Sequence, residues 1–554
     1  MIEIFCKNNK ISKSLPEGLS LLEISRNFET GLKYRPVCAL VENKLKGLGV
    51  KIYNNTAVEF MDTSTTFGSM TYQNGVFFIL SKAVQDLFPG TLVKMAHPVS
   101  NGIYCPIMKE NLTEEDVQKI RQQMDSIISD AIPFVFHKAD ATEVIRIMNE
   151  AGRPDAAQLI ETTGTYYATY YTLAGMPDCY NGCLPPDTSF IYLYSIDLCN
   201  NGVILRIPDR KKPDTLPEKI RQDKMFEIFK EYHSWQEIIG ISTVSDLNKV
   251  CQEGRKATDL INVAEALQTK KIVNIADTIR QRREADGKLK LILISGPSSS
   301  GKTTFSKRLQ VQLMANGLTP KVISLDDYFV DQVNTPRDES GDYDFESLYA
   351  LDLPFFAEQT KQLLAGETVS LPTYNFHTGK REFKGNTMKL EEHDILLMEG
   401  IHALNPELTP DIPADSKFLI YVSALTTLRL DEHNYIKTTD NRLLRRTLRD
   451  YKYRSYSAKN TIARWPSVRA GEEKWIFPYQ ENADAMFNSA LLFEIAVLKS
   501  LIDPILEQVP RNCPEFAKAY QLRKFLSMFT SIPSNNLPPT SLAREFIGGS
   551  SFHY

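Results

Sequence analysis

Residues 289–304 read LKLILISGPSSSGKTT. Five of the six residues from 289 to 294 are apolar, the composition of a short strand buried on both faces. Directly after it, Gly296, Gly301, Lys302 and Thr303 fall at the spacing G-x-x-x-x-G-K-[ST], the pattern of a phosphate-binding loop. Glycines let such a loop turn successive N–H groups inward, and the helix that follows adds its positive dipole end. The main chain of Gly296, Pro297, Ser298, Ser299, Ser300, Gly301, Lys302, Thr303 and Thr304 is therefore expected to hold a polyphosphate. In such a loop Lys302 reaches the β and γ phosphates and Thr303 ligates Mg²⁺. Phe305, Leu309 and Leu313 repeat every four residues, as on one face of a helix, and Asn316-Gly317 closes it.

Length and composition bound the rest. A chain of 554 residues exceeds the size of a single core, so three or four domains are expected. A net charge of −4 and 42% hydrophobic residues exclude strong bulk attraction to nucleic acid or membrane. The N-terminus, MIEIFCKNNK, lacks a basic-then-apolar export signal, and no apolar run approaches the roughly 20 residues that cross a bilayer. With eight scattered cysteines, a reducing cytoplasm is the expected location. Cys179 and Cys183, in DCYNGC, have no second ligand pair at zinc spacing and read as buried or idle thiols.

Residues 1–63 alternate short apolar runs with turn signals, as in a small mixed α/β module, and resemble the TGS domain, a ubiquitin-like β-grasp fold. Residues 64–209, with FFILSKAVQDLFPG followed by a helical NLTEEDVQKIRQQMDSIIS, resemble the second accessory domain of threonyl- and alanyl-tRNA synthetases, an α+β fold. Where that family carries two histidines, then a cysteine and a histidine, this chain has Phe78, Lys82, Tyr180 and Leu184, so the resemblance implies no editing activity. These modules suit RNA contact, ligand sensing or homo-oligomer formation. Residues 210–287 begin with a charged linker, RKKPDTLPEK, and continue as helix, with Leu260, Val263, Ala264 and Leu267 on one face and RQRR on a solvated one.

Residues 288–510 carry the candidate chemistry. KVISLDDYF is a strand ending in Asp326 and Asp327, and ligands of an open parallel sheet sit beyond such ends. Asp326 is expected to act as base on an acceptor hydroxyl, with Asp327 as a cap or supporting residue. HDILLMEGIHALN ends a second buried strand in Glu399, where a phosphate-loop enzyme places its Mg²⁺ partner. Between these strands, GDYDFES and LPTYNFHTGKRE supply Asp344, Tyr374, Phe376 and His377, types that grip ribose hydroxyls and stack a base. DNRLLRRTLRDYKYR spaces Arg442, Arg445, Arg446 and Arg449 along a helix, with Arg454 one turn on. That series reads as a lid over transferring phosphate or as a solvated basic face paired with surface acids.

Through GPSSSGKTT, SLDDYF, YDFES, LPTYNF, LLMEGIHAL, RRTLRD and FPYQENAD, residues 288–500 resemble the uridine kinase and phosphoribulokinase family. With the front modules and a 511–554 C-terminal extension ending REFIGGSSFHY, the whole arrangement is similar to bacterial uridine kinase-related nucleoside kinases. The resemblance implies an α/β P-loop domain using ATP and Mg²⁺ to phosphorylate the 5′-hydroxyl of a nucleoside. It implies Asp326 as base, Asp344, Tyr374 and Arg446 at the nucleoside, and Arg449 and Arg454 on phosphates. The chain departs from that family where Gly379, Tyr456 and Ala463 replace base-reading side chains, which leaves the base open. A sugar-phosphate kinase and an RNA-binding regulatory ATPase are the alternative functions.

Overall fold

The computed structural model of the protein describes residues 1–338 and 341–553; Tyr554, the last residue of the REFIGGSSFHY run, lies outside them. The strand Leu291–Ser295 is buried at every position and forms the middle of a five-stranded parallel sheet. Across the sheet the order is Thr319–Ser324, Asp394–Glu399, Leu291–Ser295, Lys417–Ser423 and Ala485–Asn488. Alternate residues feed two cores. Ile292, Ile294, Ile395 and Leu397 meet Phe305, Leu309 and Leu313 on one face, whereas Leu291, Leu293, Leu396 and Met398 meet Phe356 and Leu363 on the other. Burial on both faces explains why these strands are almost uninterrupted apolar runs.

Register then positions the chemistry. Glu399 pairs with Ile294 on one side and with Ser324 on the other. Glu399 consequently ends its strand, and Gly296 and Asp326 stand just beyond the carboxyl ends of the two strands beside it, with Asp326 in the 3₁₀ turn Leu325–Tyr328.

Helix Gly254–Asp286 packs along one side of this sheet. Its buried stripe runs through Ala257, Leu260, Ile261, Ala264, Glu265, Gln268 and Ile272, while Val263 is exposed and Leu267 only partly covered. The expected face was thus rotated by about one position. The displacement arises because two polar residues are inside: Arg308 of the loop helix pairs with Glu265 at 3.3 Å and donates to Gln268. The RQRR run is tethered rather than free, with Arg283 donating to the Asp394 and Glu392 carbonyls and Arg282 pairing with Asp484.

In the N-terminal part, residues 1–63 hold a five-stranded sheet, and helix Thr66–Leu87 is buried over most of its length. Phe78 lies against Phe134 and Tyr180, with Leu184 in the same core, while Lys82 faces outward to pair with Asp86. Cys183 is buried, and among the described residues no cluster of His, Cys, Asp and Glu is arranged to hold a metal. No described helix is long and apolar enough to cross a membrane.

A short hairpin, Arg429–Asp431 with Asn434–Tyr435, locks the two halves together. His433 Nδ1 meets Asp178 at 2.7 Å, its ring stands edge-on to Phe77, and Glu432 N–H donates to Asp155. Arg153, 3% exposed, is surrounded by Asp155, Asp178 and Asp431. Burial pushes Asp431 up to about 6 despite the guanidinium beside it. Removing this guanidinium would leave the three acids without the cation they share, and breaking a buried pair this way costs about 3–5 kcal/mol. Arg153→Met should therefore lower the denaturant midpoint and raise amide exchange across residues 429–435; unchanged exchange there would contradict the lock.

Candidate active site

A loop that turns its N–H groups inward must turn its carbonyl groups outward, and buried carbonyls need donors. Each loop carbonyl from 296 to 300 has one. Lys302 Nζ donates to Gly296 O at 2.8 Å, and Ser300 N–H closes a turn onto Pro297 O. Arg442 Nε donates to Ser298 O at 3.0 Å, Arg445 Nη1 reaches Ser299 O at 3.4 Å, and Ser489 Oγ donates to Ser300 O. The tight path requires glycine at 296, where an added Cβ would lie 1.9 Å from Val422 O. Ser299 and Gly301 hold positive φ, 57° and 84°, giving the curled backbone that makes an anion-binding concavity.

Arg442 and Arg445 are thus neither lid residues nor a solvated face. Both lie in the interior, paired with Glu472 and Glu494 respectively, and all four side chains are at most 1% exposed. Helix Thr438–Tyr453 turns these two arginines onto the outside of the loop and the next ones into the cleft. Arg446 Nη1 donates to Ser298 Oγ at 2.6 Å. Arg446, Arg449 and Arg454 gather on one buried carboxylate, Asp450, at 3.4, 3.0 and 3.8 Å.

The loop opens into a cavity of about 810 Å³. Lys302, Thr303 and Glu399 line it together with Tyr374, Phe376 and His377, and with Asp326, Asp344, Arg446, Arg449 and Arg454. Of the candidate side chains read from the sequence outside the loop, all but Asp327, Arg442 and Arg445 therefore line one space. Thr303 Oγ1 donates to Glu399 Oε1 at 3.2 Å, and burial pushes the Glu399 carboxyl up to about 7. Water reaches Asp326 through the open cleft, yet the surrounding protein mass raises its carboxyl, with Lys302, Arg454 and Arg449 pulling it back. Asp327 does not cap: Ser324 accepts from Asp326 N–H, and Asp327 instead accepts from Tyr374 N–H at 3.1 Å, fixing the strand that carries that ring.

One wall residue escaped the sequence reading. Glu346, two positions beyond Asp344, enters the cavity because helix Ala458–Trp475 passes it at Gly471, where a Cβ would lie 2.3 Å from Glu346 Cβ. Asp344 Oδ1 accepts from Glu346 N–H at 3.1 Å and so sets its backbone. Burial, reinforced by Glu472, pushes the Glu346 carboxyl up to about 7. Nothing in the YDFES run distinguishes its two acids; only the distant glycine does.

The buried hydroxyls of Ser299 and Ser300 have no hydrogen-bond partner among the described residues, a mismatch that polyphosphate oxygens would satisfy. Thr303 and Glu399 offer hard oxygen donors of the kind Mg²⁺ takes. The residues present fit both groups.

Residues 291–495 match the model of the Phosphoribulokinase / Uridine kinase family. A uridine kinase of Staphylococcus aureus (strain JH9) is 29% identical over 196 residues, covering 35% of this chain and 84% of that protein. Among solved structures, a possible uridine kinase from Bacillus stearothermophilus is 21% identical, covers 38% of this chain and 97% of its own, and has a TM-score of 0.26. D-glycerate 3-kinase from Cryptococcus neoformans is 14% identical over 51% of this chain and 90% of its own, with a TM-score of 0.22. The C-terminal part of the chain thus carries a P-loop kinase domain similar to those of this family, and the enzyme is a phosphotransferase.

A carboxyl raised in the fold binds its proton more tightly there than in the unfolded chain, so it costs stability as pH climbs from the ordinary glutamate range toward 7. Glu346→Gln imitates the protonated form. Its melting temperature should exceed that of the parent near pH 8, and the advantage should shrink steadily toward about pH 4.5. A difference independent of pH would contradict this placement.

Proposed function

We propose that the enzyme transfers the γ-phosphoryl group of ATP to the 5′-hydroxyl of a ribonucleoside. The observation that carries the reading is one cavity lined by the phosphate loop, by Asp326, and by the aromatic and carboxylate side chains of Tyr374, Phe376 and Asp344. The loop backbone and Lys302 would bind the β and γ phosphates, and Thr303 and Glu399 would hold Mg²⁺. When bound, the ion neutralises charge on those phosphates.

The chain's own groups do the remainder. Asp326 takes the proton of the acceptor hydroxyl as its oxygen bonds to the γ-phosphorus and the bond to the bridging oxygen of ADP breaks. Asp326 is exposed to the cleft, and although the surrounding protein mass raises its carboxyl, the charges of Lys302, Arg454 and Arg449 oppose that rise. Arg449 and Arg454 offset charge spreading over the transferring group. Tyr374, Phe376 and His377 supply ring surface for a base, and Asp344, Glu346 and Arg446 supply polar contacts for a sugar.

Base choice follows from the mouth of the pocket. At Gly379 the φ of +65° and a hypothetical Cβ 2.4 Å from Gln332 Oε1 disfavour a side chain, so a base edge falls to neighbours such as His377, Gln332 and Tyr456. A sugar phosphate is the competing acceptor, favoured by Arg464, a cavity cation that makes no ion pair among the described residues. The front modules belong to this reading only as a body docked on the kinase domain, for which RNA contact or dimer formation are the roles to test.

Incubation with labelled ATP and a panel of nucleosides and sugar phosphates should label a nucleoside. Lys302→Ala should abolish transfer, and Asp326→Asn should lower kcat by about 10²–10⁴-fold while ATP binding persists. Labelling of a sugar phosphate alone, or normal turnover in Asp326→Asn, would overturn the assignment.

A further inference from the structure

The loop helix Lys302–Ala315 begins with N–H groups that have no acceptor within the helix. The N–H of Thr304, a fully buried residue on its first turn, is already taken. Glu545 Oε2 accepts from Thr304 N–H at 3.1 Å and from Thr304 Oγ1–H at 2.7 Å. This carboxylate arrives from 241 residues further along the chain, on the C-terminal segment, and lines the same cavity as Lys302 and Thr303. Its negative charge also helps raise Glu399.

The segment is fastened where it makes this contact. Leu542 packs within 3.5 Å of a Cβ position on Gly301, and the Arg445 guanidinium lies over the Phe546 ring at 5.0 Å. Lys452 Nζ donates to Ile547 O at 2.6 Å. Arg544 donates to the carbonyls of Ser534, Leu537 and Gly548 and so holds the turn in shape. An anionic oxygen on first-turn N–H and hydroxyl donors of a phosphate-loop helix is what a nucleotide phosphate itself would present.

We propose that Glu545 is an internal occupant of the phosphate cradle: the C-terminal segment caps the loop in the nucleotide-free enzyme, and a polyphosphate binds by displacing it from Thr304. The inference rests on the reading of the loop as a nucleotide site. Two carboxylates, Glu399 and Glu545, beside one triphosphate would repel it, whereas withdrawal of Glu545 returns two donors and removes one charge. The segment therefore sets the affinity of the loop for phosphates, and its release would loosen its hold on Lys452 of the arginine helix, while Glu494 and Ser489 keep Arg445 in place.

The full-length protein and E545Q would be titrated with a non-hydrolysable ATP analogue plus Mg²⁺, with inorganic tripolyphosphate, and with adenosine. E545Q should bind the analogue and tripolyphosphate more tightly by roughly two- to thirtyfold, the range that a carboxylate at a helix N-terminus spans, and adenosine no more tightly. In the unaltered protein the analogue should raise amide exchange across residues 541–548, a measurement independent of how the variant folds. Equal or weaker binding by E545Q, or protection of 541–548 on analogue binding, would overturn the cap and leave the nucleotide site standing. Failure of the unaltered protein to bind the analogue at all would overturn the nucleotide site and the cap with it.

Discussion

The outward carbonyls of residues 298 and 299 are the constraint on which the site depends. A loop of this kind holds phosphate only if the carbonyls on its reverse side are satisfied, and that side faces protein. Arg442 and Arg445 supply the donors, and each arginine is itself neutralised by a buried glutamate, Glu472 or Glu494. Such pairs add little net stability against an apolar alternative, yet removing one partner is costly. Their value here is geometric: planar guanidinium groups fix the loop carbonyls in direction, and the cradle is rigid before any ligand arrives.

The same helix divides its labour by position. Residues 442 and 445 face the back of the loop, and 446 and 449 face the cleft with Arg454 just beyond, gathered on Asp450. The hairpin that immediately precedes this helix is the element gripped by Arg153 and Asp178 of the N-terminal half. The front half is thus joined by buried ionic contacts to the strand turn that delivers the arginines, and strain there has a short covalent path to the loop.

Much of this was legible in the sequence where local pattern governs. The apolar run at 289–294, the glycine spacing and the four-residue repeat of Phe305, Leu309 and Leu313 specify a strand, loop and helix through short-range chemistry, and all three leucine-phenylalanine positions are buried. Acids at strand ends followed from the same logic. What failed were statements that depend on partners remote in sequence. Arg442 and Arg445 were read by their charge, whereas their glutamates lie 30 and 49 residues downstream. Val263 was placed inside because the polar partners that draw Glu265 and Gln268 inward are not local. Glu346 and Glu545 owe their places to Gly471 and to a returning C-terminus, neither of which any periodicity announces.

The most direct measurement of the central claim is a crystal structure with a non-hydrolysable ATP analogue and Mg²⁺. The account predicts β and γ phosphates against the main chain of residues 299–303, Lys302 swung from the Gly296 carbonyl onto phosphate, a metal ion at Thr303 and Glu399, and Arg442 and Arg445 unmoved. A triphosphate bound outside this loop, or an ion held by neither Thr303 nor Glu399, would contradict it.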